Sequence, residues 1–337
     1  MDENQILLIL LIVASLGLAY SNGMNDCANA IAVCIGSRVL SPKKAILMSA
    51  VFNMAGALVG ALFGAKVAET VGKGIVDSEA IQLYTVLAGV VAAVIWVVGT
   101  THFGFPISIS HSLVAGLVGA AVAHSGPDVL IWHGLGRVLA AVIIAPLLGF
   151  CGAFLLTVVL LWIVRRRSPD KVNAFFSKLQ IVAAAFMSFS HGKSDGQMPI
   201  ALIALGFFLY RGSTGHLEFD TWVIIVSALA ISLGTAIGGW GVIKTVGSKI
   251  TALRPVNGFA SDTSAALVVL MASNVGIPTS STHASSASVV GTGATKRLSA
   301  VAWGVAGNIL AAWVLTFPAC AAGGWALSKL LGLFLEG

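Results

Sequence analysis

One eight-residue pattern occurs twice in this chain, and each copy stands between two apolar runs. Gly104-Phe-Pro-Ile-Ser-Ile-Ser-His111 and Gly276-Ile-Pro-Thr-Ser-Ser-Thr-His283 share the form Gly-x-Pro-x-Ser-x-(Ser/Thr)-His. A second pair, Ser21-Asn-Gly-Met-Asn-Asp26 and Ser190-His-Gly-Lys-Ser-Asp195, is separated by nearly the same spacing as the first, and a weaker third pairs Thr70-Val-Gly-Lys73 with Thr245-Val-Gly-Ser248. Near-constant offsets mark a duplication into halves of roughly 165 residues each. The expected boundaries are 1–164 for the first half, a short basic linker at 165–175, and 176–337 for the second.

Composition says what the halves are immersed in. Of 337 residues, 57% are hydrophobic and only 9% charged, against roughly 25% charged in a soluble domain. The expected fold is therefore an all-α integral membrane protein. The net charge of +6 does not point to nucleic acid, because the basic residues sit in short loops between apolar runs. The four cysteines lack metal-ligand spacing and read as small core residues.

Each half holds about five apolar runs. In the first they span about 5–36, 45–65, 80–101, 106–124 and 131–164; in the second, about 176–210, 221–243, 256–275, 278–294 and 299–331. Polar residues interrupt the first run at 21–26 and the sixth at 190–197, which predicts broken helices there. Further breaks are expected at 104–108 and 276–280, and Pro146 and Pro318 predict bends in the last run of each half. Five segments per half is odd, so the halves are expected to be inverted. With 165–178 placed in the cytoplasm, the inside loops carry 13 lysines and arginines and the outside loops 3, as the positive-inside rule requires. Both termini are then outside. Two inverted-topology repeats with broken helices or re-entrant hairpins at the midplane are the sequence signature of a secondary transporter.

The motifs suggest what is carried. A proline opening a helix, followed by hydroxyl residues, puts free N–H groups and the positive dipole end together, which suits an anion. The candidate substrate contacts are Ser108, Ile109 and Ser110 in one copy and Ser280, Ser281 and Thr282 in the other, beside Asn25, Asp26 and Asp195. A carboxylate deep in a membrane segment is costly and marks function. Asp26 with Asn22, Asn25 and Asn29, and Asp195 with Ser194 and Gln197, form two oxygen-rich sets suited to a hard cation. Unwound backbone at each set would add carbonyl oxygens. Two carboxylates beside a bound oxyanion are tolerable only if sodium ions or protons bind as well, and co-binding is the physical content of symport. His111 and His283, one turn into the helices, serve either protons or structure.

These residues resemble the inorganic phosphate transporter family, the sodium- or proton-coupled phosphate permeases. Gly23-Met-Asn-Asp-Cys-Ala-Asn29 matches the family's first Asn-Asp motif, both Gly-x-Pro copies match fully, and Pro255-Val-Asn-Gly-Phe-Ala260 matches the segment before the second copy. The resemblance covers about 20–325. It implies a homodimeric carrier of inorganic phosphate in the cell membrane, not an enzyme, with substrate at the half-helix ends, sodium at the Asp26 and Asp195 sites and no other cofactor. The chain departs from the pattern at Ser194, where the family has asparagine, and in its short inter-half connection. Three other readings stand beside this one: a sulfate or related oxyanion permease, a passive channel, and an intramembrane hydrolase using Ser108 and His111.

Overall fold

The computed structural model describes residues 2–335. Thirteen α-helices follow one another among these residues: α1 Glu3–Gly36, α2 Pro42–Leu62, α3 Lys66–Lys73, α4 Leu83–His102, α5 Ile109–Ser125, α6 Trp132–Val164, α7 Pro169–Asp195, α8 Gln197–Tyr210, α9 Thr221–Ile237, α10 Trp240–Lys244, α11 Pro255–Asn274, α12 Ser281–Ala294 and α13 Trp303–Leu335. A π turn, Thr245–Lys249, extends α10. Seven helical stretches, with α7 and α8 taken together, are long and apolar enough to cross a bilayer, and α9 with α10 makes an eighth, bent by 59°. Two shorter helices, the apolar α5 and the hydroxyl-rich α12, form the second arms of two hairpins. Each half thus has five segments. The long outer helices α6 and α13 expose Ile143, Leu147, Leu155, Val314 and Leu315, the side chains a lipid-facing surface requires.

Both Gly-x-Pro motifs turn a hairpin. Gly104 and Gly276 adopt φ of +75° and +74°, a conformation in which a Cβ is strained. The helices begin three residues later than the prolines suggest. Pro106 and Pro278 lie in the turns, and Ser108 and Ser280 are the N-caps, accepting hydrogen bonds from the backbone N–H of His111 (3.2 Å) and His283 (3.0 Å).

The Asp-bearing segments differ from the sequence expectation. α1 runs unbroken through 21–26, and the break expected at 190–197 shrinks to Gly196, itself in the right-handed helical region. The backbone keeps its helical ladder through both stretches, so it offers no unwound carbonyls to the carboxylates. Pro146 and Pro318 also lie inside continuous helices. The linker narrows to 165–168, because Pro169 occupies the first turn of α7, where its missing N–H costs nothing. The loop at 66–79 contains α3.

The two halves close on each other. α1 packs on α9 as α7 packs on α2; α5 packs on α13 as α12 packs on α6; α1 meets α4 as α7 meets α11. Glycines show the exchange at atomic scale. A Cβ on Gly23 would fall 1.9 Å from the Ile231 carbonyl oxygen, and one on Gly192 would fall 2.0 Å from that of Asn53. Likewise Gly234 faces the Tyr20 carbonyl and Gly56 that of Phe189. Residues 23 and 192, like 20 and 189, are equivalent positions under the spacing of the two Asp motifs.

One apolar core gathers the start of α1 (Leu7, Leu11, Leu18) with α4, α5 and α8; another gathers its end (Cys27, Ile31, Val33) with α10, α11 and α12. α7 contributes Met187 to the second and α8 contributes Met198 to the first. Between the two cores, α1 and α7 bury a polar layer.

Candidate functional site

The layer is built from side chains of both halves. Asp26 on α1 is 2% exposed and accepts hydrogen bonds from the second hairpin: Ser281 Oγ donates to Oδ2 at 2.9 Å and Thr282 Oγ1 to Oδ1 at 2.8 Å. Asn29, one turn further, donates through Nδ2 to Thr282 Oγ1 (3.0 Å) and Ser281 Oγ (3.3 Å). These contacts tie the opening turn of α12 to the middle of α1. Asn25 turns instead to the first hairpin, donating to Thr101 Oγ1 at 2.7 Å and to the Phe105 carbonyl at 3.3 Å.

His191 joins the two carboxylates. Its Nε2 lies 3.5 Å from Asp26 Oδ2 and 3.5 Å from Asp195 Oδ2. It also faces Asn22 Oδ1 at 3.2 Å. Nδ1 is held by Asn53 Oδ1 at 3.0 Å, and Asn53 in turn donates to Thr235 Oγ1 at 2.8 Å. Asp26, His191 and Asp195 each offer a ligand atom within 4.8 Å of the others.

Sequence reasoning assigned His191 no role. Two signals were present: it holds the place in the second half that Asn22 holds in the first, and it lies one helical turn before Asp195, on the same face. Asn53 and Thr235 carried no motif. Nor did Asp262 on α11, a third buried carboxylate with neither oxygen hydrogen-bonded; the first half has Val90 at the matching position.

The remaining candidates separate into groups. Ser194 and Ser110 are buried. Ser108 and Ser280 spend an oxygen lone pair on capping. Gln197 is removed from the cation set: its carbonyl oxygen accepts from the N–H groups of Val67 (3.0 Å) and Ala68 (3.2 Å), and its amide donates to the Lys193 carbonyl. It caps α3, whose first N–H groups have no partner within the helix. His111 and His283 meet edge to face, 4.9 Å between ring centres, with Trp313 stacked on His283 and Phe317 on His111. Ring packing positions them where the hairpins meet.

The layer has oxygens to spare. Asn25 Oδ1, Asn29 Oδ1 and Asp195 Oδ1 are buried without a hydrogen-bond partner. A buried acceptor that nothing donates to is costly, and each of the three is of the ligand type a hard cation takes. Ser281 and Thr282, at the positive end of α12, are donors an oxyanion can use.

The model of the "Phosphate transporter family" matches residues 22–324. A Rhizobium meliloti protein is 41% identical, covering 94% of this chain and 93% of its own, and a Bacillus subtilis protein is 37% identical, covering 94% and 95%. Both are named "Probable low-affinity inorganic phosphate transporter". A solved structure titled "The sodium-dependent phosphate transporter" superposes with a TM-score of 0.88 at 27% identity, covering 98% of this chain and 100% of that one. This is a transport family and not an enzyme family. With its membrane-length helices, paired hairpins and buried Asp26–Ser281–Thr282 cluster, the chain belongs to the phosphate transporter family.

Proposed function

We propose that the protein imports inorganic phosphate by symport with sodium, and that Asp26 couples the two. The observation that carries this reading is the pair of hydroxyl bonds from Ser281 and Thr282 to Asp26. The same hydroxyls that face the carboxylate are the donors available to an oxyanion at the N-terminus of α12. With no cation present, the carboxylate holds both. A sodium ion on Asp26, Asn25 and Asn29 would take over the negative charge and release the hydroxyls to the anion. Cation binding thus prepares the anion site, which makes transport coupled.

Electrostatics demands the same order. Two like charges at the 4.8 Å scale of the cluster repel by about 3 kcal/mol at an effective dielectric near 20. Bringing a phosphate to Asp26 and Asp195 without compensation adds several such repulsions. One cation per carboxylate removes them.

The halves are read as inverted repeats about an axis in the membrane plane. The exchanged packing of α1/α9 with α7/α2, and of α5/α13 with α12/α6, supports this. The basic run at 165–168 then lies in the cytoplasm, and both termini and α3 lie outside. Uptake of labelled phosphate and sulfate into proteoliposomes, with sodium and proton gradients imposed separately, tests the reading. Sodium-driven phosphate accumulation is expected. Accumulation driven only by a proton gradient would replace sodium as the coupling ion, and preferential sulfate uptake would replace the substrate.

A further inference from the structure

We infer that Lys66 and Lys193 form an oxyanion docking site at the tip of the second hairpin, and that the arriving anion releases this tip. The inference rests on the transport reading above and concerns the path to its site.

Lys66 Nζ donates to the main-chain carbonyl of Asn274 at 3.2 Å, and Lys193 Nζ donates to the side-chain Oδ1 of the same residue at 2.5 Å. Thr70 on α3 adds a bond from Oγ1 to the Gly276 carbonyl at 2.7 Å. The hairpin tip is thereby fastened to α3 and α7. Asn274 and Lys66 are exposed and Lys193 is half-buried.

Two ammonium groups converge here on one neutral residue. Among the described residues, neither forms an ion pair with a carboxylate. Charge-assisted bonds to an anion are shorter and about twice as strong as those to a neutral acceptor. An oxyanion with several acceptor oxygens can take both ammonium groups at once, and Asn274 then loses both partners.

The position places this event on the route. Lys193 stands two residues before Asp195 on α7, and Asn274 seven residues before Ser281 across the hairpin turn. Releasing Asn274 frees the backbone that leads directly to Ser281 and Thr282. The first hairpin has no such device. The repeat offsets put Met24 opposite Lys193 and His102 opposite Asn274, and its turn instead packs Gly104 against Gly241. The docking site therefore belongs to one hairpin and one face of the bundle.

The test uses the full-length protein in proteoliposomes, with inorganic phosphate as the probe. K66M/K193M should raise the phosphate half-saturation about tenfold with a maximal rate within about twofold, as loss of charge-assisted contacts made before the deep site implies. K193R should restore a value near the unaltered one. N274A, which keeps both lysines, should hold the half-saturation within about twofold. Hydrogen exchange at 272–280 should quicken with phosphate in the unaltered protein and not in K66M/K193M. An unchanged half-saturation in K66M/K193M, or lost thermal stability as the only effect of all three variants, would overturn the docking site and leave the lysines as tethers. Absence of phosphate uptake by the unaltered protein would instead sink the transport reading, and this proposal with it.

Discussion

Replacing Asp26 by asparagine keeps the side chain's shape and removes its charge, so it isolates the coupling step. In the structure both carboxylate oxygens accept hydroxyl bonds, at 2.9 and 2.8 Å. Those bonds belong to the cation-free state and pass to the anion once sodium binds, so the cost to transport comes from the cation, which loses the one formal charge that α1 brings to the site. A unit charge at the 4.8 Å scale of the cluster is worth about 3 kcal/mol at an effective dielectric near 20, which corresponds to sodium-driven phosphate uptake reduced about 100-fold. Asp195→Asn provides the contrast. Asp195 receives no hydroxyl bond from the first hairpin, because Ile109 occupies the place of Ser281 and Ser110 does not reach it. Its loss should reduce uptake only about tenfold, because its charge is not linked to the hydroxyls that the anion takes up. The assay is initial uptake against sodium concentration in proteoliposomes, with size exclusion and thermal melting to confirm folding. Folded Asp26→Asn protein with uptake within threefold of normal, or identical sodium dependence in the two variants, would refute the coupling role of the Asp26 cluster.

Other outcomes follow from particular contacts. Gly23→Ala should prevent assembly, because the new methyl falls 1.9 Å from the Ile231 carbonyl oxygen; a normal yield of monodisperse protein would contradict that packing. Gln197→Leu should lower thermal stability by about 1–3 kcal/mol, the cost of uncapping buried N–H groups, while sodium half-saturation stays unchanged; a shift in sodium dependence would return Gln197 to the cation site. Ser194→Asn recreates the second Asn-Asp pair and should strengthen sodium dependence, read from the same uptake curves. Cysteine at Arg167 should be labelled only from the cytoplasmic side and cysteine at Ser213 only from the outside; the reverse pattern would invert the assigned topology.

Legibility in the sequence followed the range of the interactions. The hairpins could be read because their chemistry is local: a glycine at positive φ, a proline in the turn and a serine cap lie within five residues. Helix continuity at 21–26 could not. Asn22, Asn25 and Asp26 look like residues that unwind a helix, and what keeps the helix intact is their pairing with His191, Thr101 and Ser281, partners supplied by three other parts of the chain. Asp26 and Asp195 were found because each carries charge in a repeated motif; Asp262, outside any motif, was not. His191 was missed because an imidazole in an apolar run gains meaning only from the two acids that flank it in space. Gln197 failed in the opposite sense: its oxygen count suited a cation, but the N-terminus of α3, read as a loop, claimed it. The direction of Lys193 is set by Asn274, a partner 81 residues away in the chain.

The exchanged packing of the halves bears on how the protein is made. While the ribosome is still adding the linker at 165–168, α1 and α2 are already in the membrane, yet the helices they close against, α9 and α7, do not exist. Gly23 and Gly56 then face lipid instead of backbone carbonyls, and Asp26 has neither Ser281 nor Thr282 to accept from. Insertion therefore precedes assembly, and the first half waits, with an acid buried in hydrocarbon, for the second to arrive. Two chains cut at 165–168 and produced together should find each other and restore uptake, while either one alone should be cleared by membrane proteases.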